Sequence, residues 1–206
     1  MLTAQEKTYV LASAYIPEHS VDLISGISGG EPFLVDDCLV HWSRGELIIN
    51  GYPLTGTFDL PRFESMVNEL QRRFRPTRIS YISPRNPMTL AVDCCETDSD
   101  DYFTLDLRDV SLPAPVKRNI RNASRRLSVG ASASMDQAHQ DLTDEFIARV
   151  HPGPRVIRLL ERMPQYVNSR SGGGVLNAWD DRGRLNAFYV IDQAPTHFST
   201  YVIGCY

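Results

Sequence analysis

The chain has 206 residues, of which 42% are hydrophobic and 22% are charged, and its formal net charge is -4. These values are ordinary for a globular protein and exclude a wholly disordered chain, and the length suits one large domain or two small ones. The acidic balance argues against a general binder of nucleic acid or anionic membranes, although it says nothing about local patches. No apolar run reaches the roughly 20 residues of a membrane-spanning helix. The N-terminus also lacks a secretion signal, so we expect a cytoplasmic location.

The cysteine and histidine patterns predict neither a disulfide framework nor a metal site. The four cysteines, Cys38, Cys94, Cys95 and Cys205, include no C-x-x-C pair, and the adjacent Cys94 and Cys95 cannot easily bridge each other. The five histidines show neither H-E-x-x-H nor H-x-H spacing. We therefore expect free thiols and no bound metal.

The first part of the chain predicts two helices and a hairpin. Thr3 and Glu6 have the spacing of a capping box, in which each side chain satisfies a free backbone N–H of the other residue. After a proline, a second short helix is expected at residues 18–27, where a glycine pair ends it. Apolar runs on either side of a glycine-containing turn then predict a hairpin over residues 38–49.

An amphipathic helix and a strand complete the first half. Apolar residues recur at helical spacing from Leu60 to Phe74, Asp59 suits the N-cap, and Pro76 is expected to stop the helix. Residues 78–82 have the composition of a strand. The order helix, hairpin, helix, strand predicts a small α/β half.

We predict three segments in the chain. Residues 1–92 form the α/β half, and residues 93–101 form an exposed acidic connection. The remaining residues, 102–206, form a second domain, which begins at Tyr102–Leu107. Apolar and polar residues alternate there as in a half-buried strand.

A basic helix is predicted from Pro115 to about Leu127. Its apolar stripe consists of Val116, Ile120, Ala123 and Leu127. The opposite side carries Lys117, Arg118, Arg121 and Arg125. No acidic residue occurs between Val110 and Met135, so these cations lack local partners. They either contact phosphates or form a solvated face that the acidic connection neutralises.

The rest of the second domain is predicted as helices followed by consecutive strands. Helices are expected at residues 142–150 and 155–167, with a proline- and glycine-containing break between them. Three strands are expected at residues 174–179, 185–192 and 198–205, and their short connections favour an antiparallel meander.

The order of elements from Tyr102 onwards resembles the first part of the GNAT acyltransferase superfamily. Two segments, Tyr102–Leu107 and Lys117–Arg126, are similar in sequence to its Fem-type, aminoacyltransferase-related branch. Proteins of that branch commonly carry two GNAT-like halves, which accommodates residues 1–92. The resemblance implies an α+β fold with a mixed, mostly antiparallel sheet flanked by helices.

The same resemblance implies an acyltransferase. An acyl or aminoacyl group would pass from a thioester or ester donor, acyl-CoA or aminoacyl-tRNA, to an amine that attacks it directly. Backbone N–H groups of the last strand would polarise the donor carbonyl. The implied substrate-binding residues are Arg118, Arg121, Arg125, Tyr189 and Tyr201. His197 lies beside the last strand as a further candidate for contact with the acceptor.

One part of the family pattern is absent from this sequence. The family holds the donor pyrophosphate on a glycine-rich turn after the fourth strand, whereas Gly204-Cys205-Tyr206 lies within that strand. We therefore expect the last part of the fold to be missing and this fragment to be inactive. Two alternatives are a non-catalytic module that binds RNA or another polyanion through residues 115–127, and a partner that pairs through an open strand edge.

Overall fold

The computed structural model describes residues 1–87, 96–169 and 172–206. In these residues, six α-helices and eight strands form two four-stranded, mostly antiparallel sheets, so the fold is mixed α+β. Contacts divide the chain into two compact units. The first unit is Met1–Asp98 with Asp192–Thr200, and the second is Ser99–Ile191 with Tyr201–Tyr206.

The first unit contains three helices and four strands. In chain order these are α1 (Ala4–Ser13), α2 (Val21–Ser28), β1 (Glu31–Val35), β2 (Cys38–Ser43), β3 (Glu46–Asn50), α3 (Leu60–Phe74) and β4 (Arg78–Ile82). Strands β1, β2 and β3 pair antiparallel, and β4 pairs parallel to β3 because α3 provides the crossover between them. A short 3-10 turn at Pro17–His19 delays the start of α2 relative to the predicted helix at 18–27.

The sheet of the first unit is covered by helices on both faces. On one face, Val40 packs in a cluster with Phe63 of α3. On the other face, Leu39 packs with Val10 of α1 and Val21 of α2. Because Leu39 and Val40 are neighbours on β2, the alternation of strand side chains delivers one to each layer.

The predicted helix caps of this unit are confirmed. The Thr3 backbone N–H donates to Glu6 Oε2 over 2.7 Å, and the Glu6 backbone N–H donates to Thr3 Oγ1 over 3.2 Å. At the start of α3, Asp59 Oδ1 accepts the Arg62 backbone N–H over 3.1 Å. Each contact satisfies an N–H that the first helical turn leaves unpaired.

The second unit contains three helices and four strands. In chain order these are α4 (Ala114–Ala123), β5 (Leu127–Ser132), α5 (Gln137–Val150), α6 (Pro154–Asn168), β6 (Gly173–Asp180), β7 (Leu185–Asp192) and β8 (Thr200–Cys205). The four strands lie side by side in chain order. The links β6–β7 and β7–β8 are too short for the dozen or so residues of a parallel crossover, so these pairs are antiparallel.

Two predictions for the second unit are wrong. Tyr102–Leu107 is not a strand: its described residues precede a 3-10 turn at Leu107–Asp109, and Phe103 is 92% exposed. Alternation stabilises a strand only when a neighbouring strand and a covering layer are present, and this segment has neither among the described residues. The basic helix also ends at Ala123, and Leu127 begins β5 instead.

The remaining predictions concern free thiols, a bound metal and a membrane-spanning helix. Cys38 and Cys205 are buried free thiols, and burial raises the pKa of Cys38 to about 11. Cys94 and Cys95 lie outside the described residues, as does the start of the acidic connection. Within the described ranges, no group of three or more His, Cys, Asp or Glu residues could hold a metal ion. In the same ranges, no helix has the length and apolar character to cross a membrane.

Candidate functional site

The predicted site residues Tyr189 and Tyr201 are brought together on the last two strands. Their ring centroids lie 5.7 Å apart in an edge-to-face arrangement, and we call them the tyrosine pair. Tyr189 is 43% exposed and Tyr201 is 61% exposed, so part of each side chain faces solvent. Paired aromatic rings with polar tips are suited to contact a substrate that is part apolar and part polar.

The tyrosine pair depends on a glycine in β8. A Cβ atom at Gly204 would lie 2.4 Å from Tyr189 Cδ1 and 2.6 Å from the Phe188 carbonyl oxygen. Only a residue without a side chain therefore leaves the Tyr189 ring in its present position. Phe188, the neighbour of Tyr189 on β7, is fully buried and contacts the ring of His139 on α5. Tyr189 therefore lies on the opposite face of the sheet from α5.

The protonation of Tyr201 follows from its surroundings. Partial burial raises the pKa of Tyr201, and the nearby Tyr189 raises it further. A phenol with a raised pKa stays protonated at neutral pH, so Tyr201 can donate a hydrogen bond to a substrate oxygen but is a poor general base.

The three predicted arginines lie apart from the tyrosine pair. Arg118 and Arg121 are exposed on α4, and Arg125 follows the helix. Their side chains form no hydrogen bond or ion pair with any described residue. The structure therefore does not join them to the tyrosines, and their role in binding a donor or a polyanion stays a prediction.

The structure places His197 in the first unit. It is exposed in the loop before β8, and residues Asp192–Thr200 belong to the first unit. In that unit the neighbouring Thr196 backbone N–H donates to the Leu11 carbonyl over 3.1 Å. His197 as a contact for the acceptor stays a prediction from the sequence.

Sequence reasoning missed a buried polar network between α5, β5 and β6. His139 Nδ1 lies 2.7 Å from Asp136 Oδ1, and His139 Nε2 lies 2.9 Å from Asn177 Oδ1. Asn177 Nδ2 donates to Ser132 Oγ over 3.0 Å. The Ser132 hydroxyl in turn donates to the Ser134 carbonyl over 2.9 Å. We call these residues, Asp136, His139, Asn177 and Ser132, the histidine network.

The hydrogen bonds in this network hold the imidazole of His139 in one orientation. Because the Asn177 amide nitrogen already donates to Ser132, its oxygen faces His139, and Nε2 must carry a proton. Nδ1 lies 2.7 Å from Asp136 Oδ1 and also accepts the Asp136 backbone N–H over 3.1 Å, so both the side chain and the main chain of Asp136 hold the ring in place. The Asp-x-x-His spacing at the start of α5 resembles a capping box and was the one available sequence signal.

The histidine network predicts a dependence of stability on pH. The hydrogen bond from His139 lowers the pKa of the Asp136 carboxyl from its ordinary value of 3.8. A carboxyl whose pKa is lowered in the folded state stabilises the fold at pH values above its ordinary pKa. This stability is lost as the pH falls through the folded-state pKa. We expect the unfolding temperature to fall faster below about pH 4 in wild type than in Asp136→Asn, which keeps the helix cap. Parallel melting curves across the acid range would contradict this.

The turn between β3 and α3, at residues 51–59, follows three antiparallel strands of the first unit and leads into a helix. Its surroundings are acidic: Asp59 caps α3, Asp37 accepts the Tyr9 hydroxyl over 3.0 Å, and Asp36 pairs with Arg62 over 3.3 Å. A helix N-terminus that already holds a carboxylate, with two more beside it, disfavours a pyrophosphate. The first unit therefore does not provide an anion site at this turn, and the candidate site lies in the second unit.

No protein-family model and no curated protein matches this chain. The function is therefore argued from the geometry of the second unit.

Proposed function

We propose that the second unit is a GNAT-like domain of the Fem-type branch that transfers an acyl or aminoacyl group from a thioester or ester donor to an amine. Acyl-CoA and aminoacyl-tRNA are the two donor classes that the resemblance implies. The tests of the proposal use the full-length natural protein.

The observation that carries this proposal is the order of elements in the second unit. Strand β5 is followed by helices α5 and α6 and then by strands β6, β7 and β8, and the four strands lie in one sheet in chain order. The GNAT domains that the sequence resembles begin with the same order. In this arrangement β5 takes the position that the sequence analysis assigned to Tyr102–Leu107.

The first unit supports the expectation of two related halves. Two helices and three strands in sequence, α1-α2-β1-β2-β3, correspond in order to α5-α6-β6-β7-β8 of the second unit. The strands of each run are neighbours in their own sheet. A helix and a parallel strand, α3 and β4, then extend the first unit. Repetition of one order in two compact units is what a protein with two GNAT-like halves is expected to have.

The proposed reaction is a direct attack on the donor carbonyl. The amine nitrogen forms a bond to the carbonyl carbon, and the carbon–sulfur or carbon–oxygen bond of the donor breaks. The proton that the nitrogen loses ends on the departing thiolate or alkoxide. A backbone N–H on the last strand would stabilise the charge on the carbonyl oxygen as it develops. No residue needs to form a covalent intermediate.

The tyrosine pair is the proposed contact for the acceptor. The two partly exposed rings offer apolar faces to the carbon chain of an amine. Tyr201, with its raised pKa, would donate a hydrogen bond to an acceptor oxygen instead of removing a proton from the amine. The pair would therefore hold the acceptor in position, while a water molecule relays the proton.

The proposal predicts a selective kinetic effect of removing the tyrosine pair. In Tyr189→Ala/Tyr201→Ala, KM for the amine should rise about tenfold or more, because each aromatic contact contributes on the order of 1 kcal/mol. KM for the donor should not change. Initial rates would be measured with acetyl-CoA or mixed aminoacyl-tRNAs as donors, and with lysine, a lysine-containing peptide or spermidine as acceptors.

The matched control is Tyr102→Ala, which removes an exposed tyrosine of the same unit that lies outside the sheet. This variant should leave both KM values unchanged. Equal effects of the control and the double variant, or a rise in KM for the donor alone, would remove the tyrosine pair from the acceptor site.

A further inference from the structure

Helix α4 is an amphipathic helix whose apolar side is partly exposed. It buries none of its residues, and its apolar Val116 and Ile120 are 40% and 48% exposed. Helices α3 and α6 are also rich in arginine, but each buries four residues against a sheet. The apolar side of α4 is thus about half exposed, whereas α3 and α6 bury theirs.

The polar side of α4 and the residues after it form a concentrated positive charge. Its cations are Lys117, Arg118, Arg121, Arg125 and Arg126. No acidic residue lies between Val110 and Met135. None of these five side chains makes an ion pair with a described residue. This local charge contrasts with the net charge of -4 of the whole chain.

The segment from Tyr102 to Pro113 adds exposed apolar side chains and carries one net negative charge, from Asp106, Arg108 and Asp109. Phe103 is 92% exposed, Leu105 is 67% exposed and Leu107 is 79% exposed. The carboxylate of Asp106 is paired with Arg108 over 2.8 Å, so the charges between Phe103 and Arg108 cancel. Such side chains lose contact with water only when a partner covers them.

The length of α4 also favours a partner. The helix has 10 residues, and a helix of fewer than about 12 residues is only marginally stable in water when nothing packs against it. A surface that covers its apolar side would supply the missing stabilisation.

We propose that α4 is an interfacial helix that binds an anionic lipid surface. Lipid can cover both sides of the helix at once: Val116 and Ile120 enter the boundary of the acyl chains, while the cations contact headgroup phosphates. An RNA would neutralise the cations but leave the apolar side of α4 exposed, so the two-sided character of the helix favours lipid. This inference does not depend on the acyl-transfer function.

The test is sedimentation of the protein with vesicles. One set contains phosphatidylcholine alone, and in the other about a third of the lipid is phosphatidylglycerol. We expect binding to the anionic vesicles only. The variant Arg118→Ala/Arg121→Ala should lower the partition coefficient about thirtyfold, since each basic residue near an anionic surface contributes a factor of about five.

A second variant separates lipid from RNA. Val116→Ser/Ile120→Ser keeps every charge but should also weaken binding to anionic vesicles, by about tenfold, because the apolar anchor is lost. The matched control Arg158→Ala/Arg162→Ala removes two exposed cations from α6 and should bind as wild type does. Absence of binding to anionic vesicles overturns the proposal. A second outcome also overturns it: a single-stranded RNA binds tightly, only the arginine variant weakens that RNA binding, and the serine variant binds vesicles as wild type does.

Discussion

Replacing His139 with alanine is expected to lower the free energy of unfolding of the second unit by about 3 kcal/mol. His139 is 4% exposed and Asn177 is 1% exposed, so the Asn177 oxygen would lose its partner where water cannot replace it. The ring also contacts Phe188 edge-to-face at 5.3 Å, and its removal leaves a cavity there. Urea denaturation followed by Trp179 fluorescence, in a Trp42→Phe background, reports this unit separately.

A double variant distinguishes the buried hydrogen bond from simple loss of volume. Removing both partners of a buried hydrogen bond is less costly than leaving one of them unsatisfied. We therefore expect His139→Leu/Asn177→Leu to be less destabilised than the sum of the two single variants. Glu145→Ala, on the exposed side of α5, should change stability little. Strict additivity of the two leucine substitutions would contradict the geometry assigned to the histidine network.

Replacing Gly204 with alanine is expected to cost about 2 kcal/mol, because the added methyl group has no room. The new Cβ would lie 2.6 Å from a backbone oxygen, that of Phe188, which cannot move without disturbing the pairing of β7 with β8. It would also displace the ring of Tyr189, at 2.4 Å. We therefore expect weaker amine binding in addition to the loss of stability.

Two comparisons test this explanation. In a Tyr189→Ala background the cost of Gly204→Ala should fall but not vanish, since the contact with the Phe188 oxygen remains. At Gly153 an added Cβ meets nothing within 4 Å, so Gly153→Ala should cost less, at most about 1 kcal/mol from the N-cap preference for glycine over alanine. If Gly204→Ala cost no more than Gly153→Ala, the close approach of Gly204 to the Phe188 oxygen would be contradicted.

Helical periodicity and capping spacing predicted most of the first unit because both signals are local. Helix α3 was predicted from the spacing of Leu60 to Phe74 and from its cap at Asp59, and both are observed. Strand β1 was missed because its residues, Glu31–Val35, do not alternate and include a proline. A proline is tolerated at a sheet edge, and the sequence does not reveal which strand lies at the edge.

The errors in the second unit have a common physical cause. The alternation at Tyr102–Leu107 is a strand pattern, but a strand also needs a neighbour, which depends on the rest of the chain. Leu127 continues the apolar stripe of a helix and equally begins the alternation of β5. The back-bond from Ser124 Oγ to the Ile120 carbonyl, at 2.8 Å, accompanies the end of α4 in the structure.

The candidate site was predictable residue by residue but not as an arrangement. Tyr189 and Tyr201 were chosen from the sequence for their strand positions, whereas their contact results from the pairing of β7 with β8. The histidine network joins His139 to Asn177, 38 positions further along the chain. No local pattern encodes a contact over that separation.

The most direct test of the central claim is transfer of a label from donor to amine. The full-length natural protein would be incubated with a donor labelled in its acyl carbon, either acetyl-CoA or aminoacyl-tRNA, and with the amines named above. The account predicts that label appears in an amide, with one free thiol or one deacylated tRNA released for each amide formed. Release of thiol or tRNA without amide, or no transfer from either donor, would contradict it.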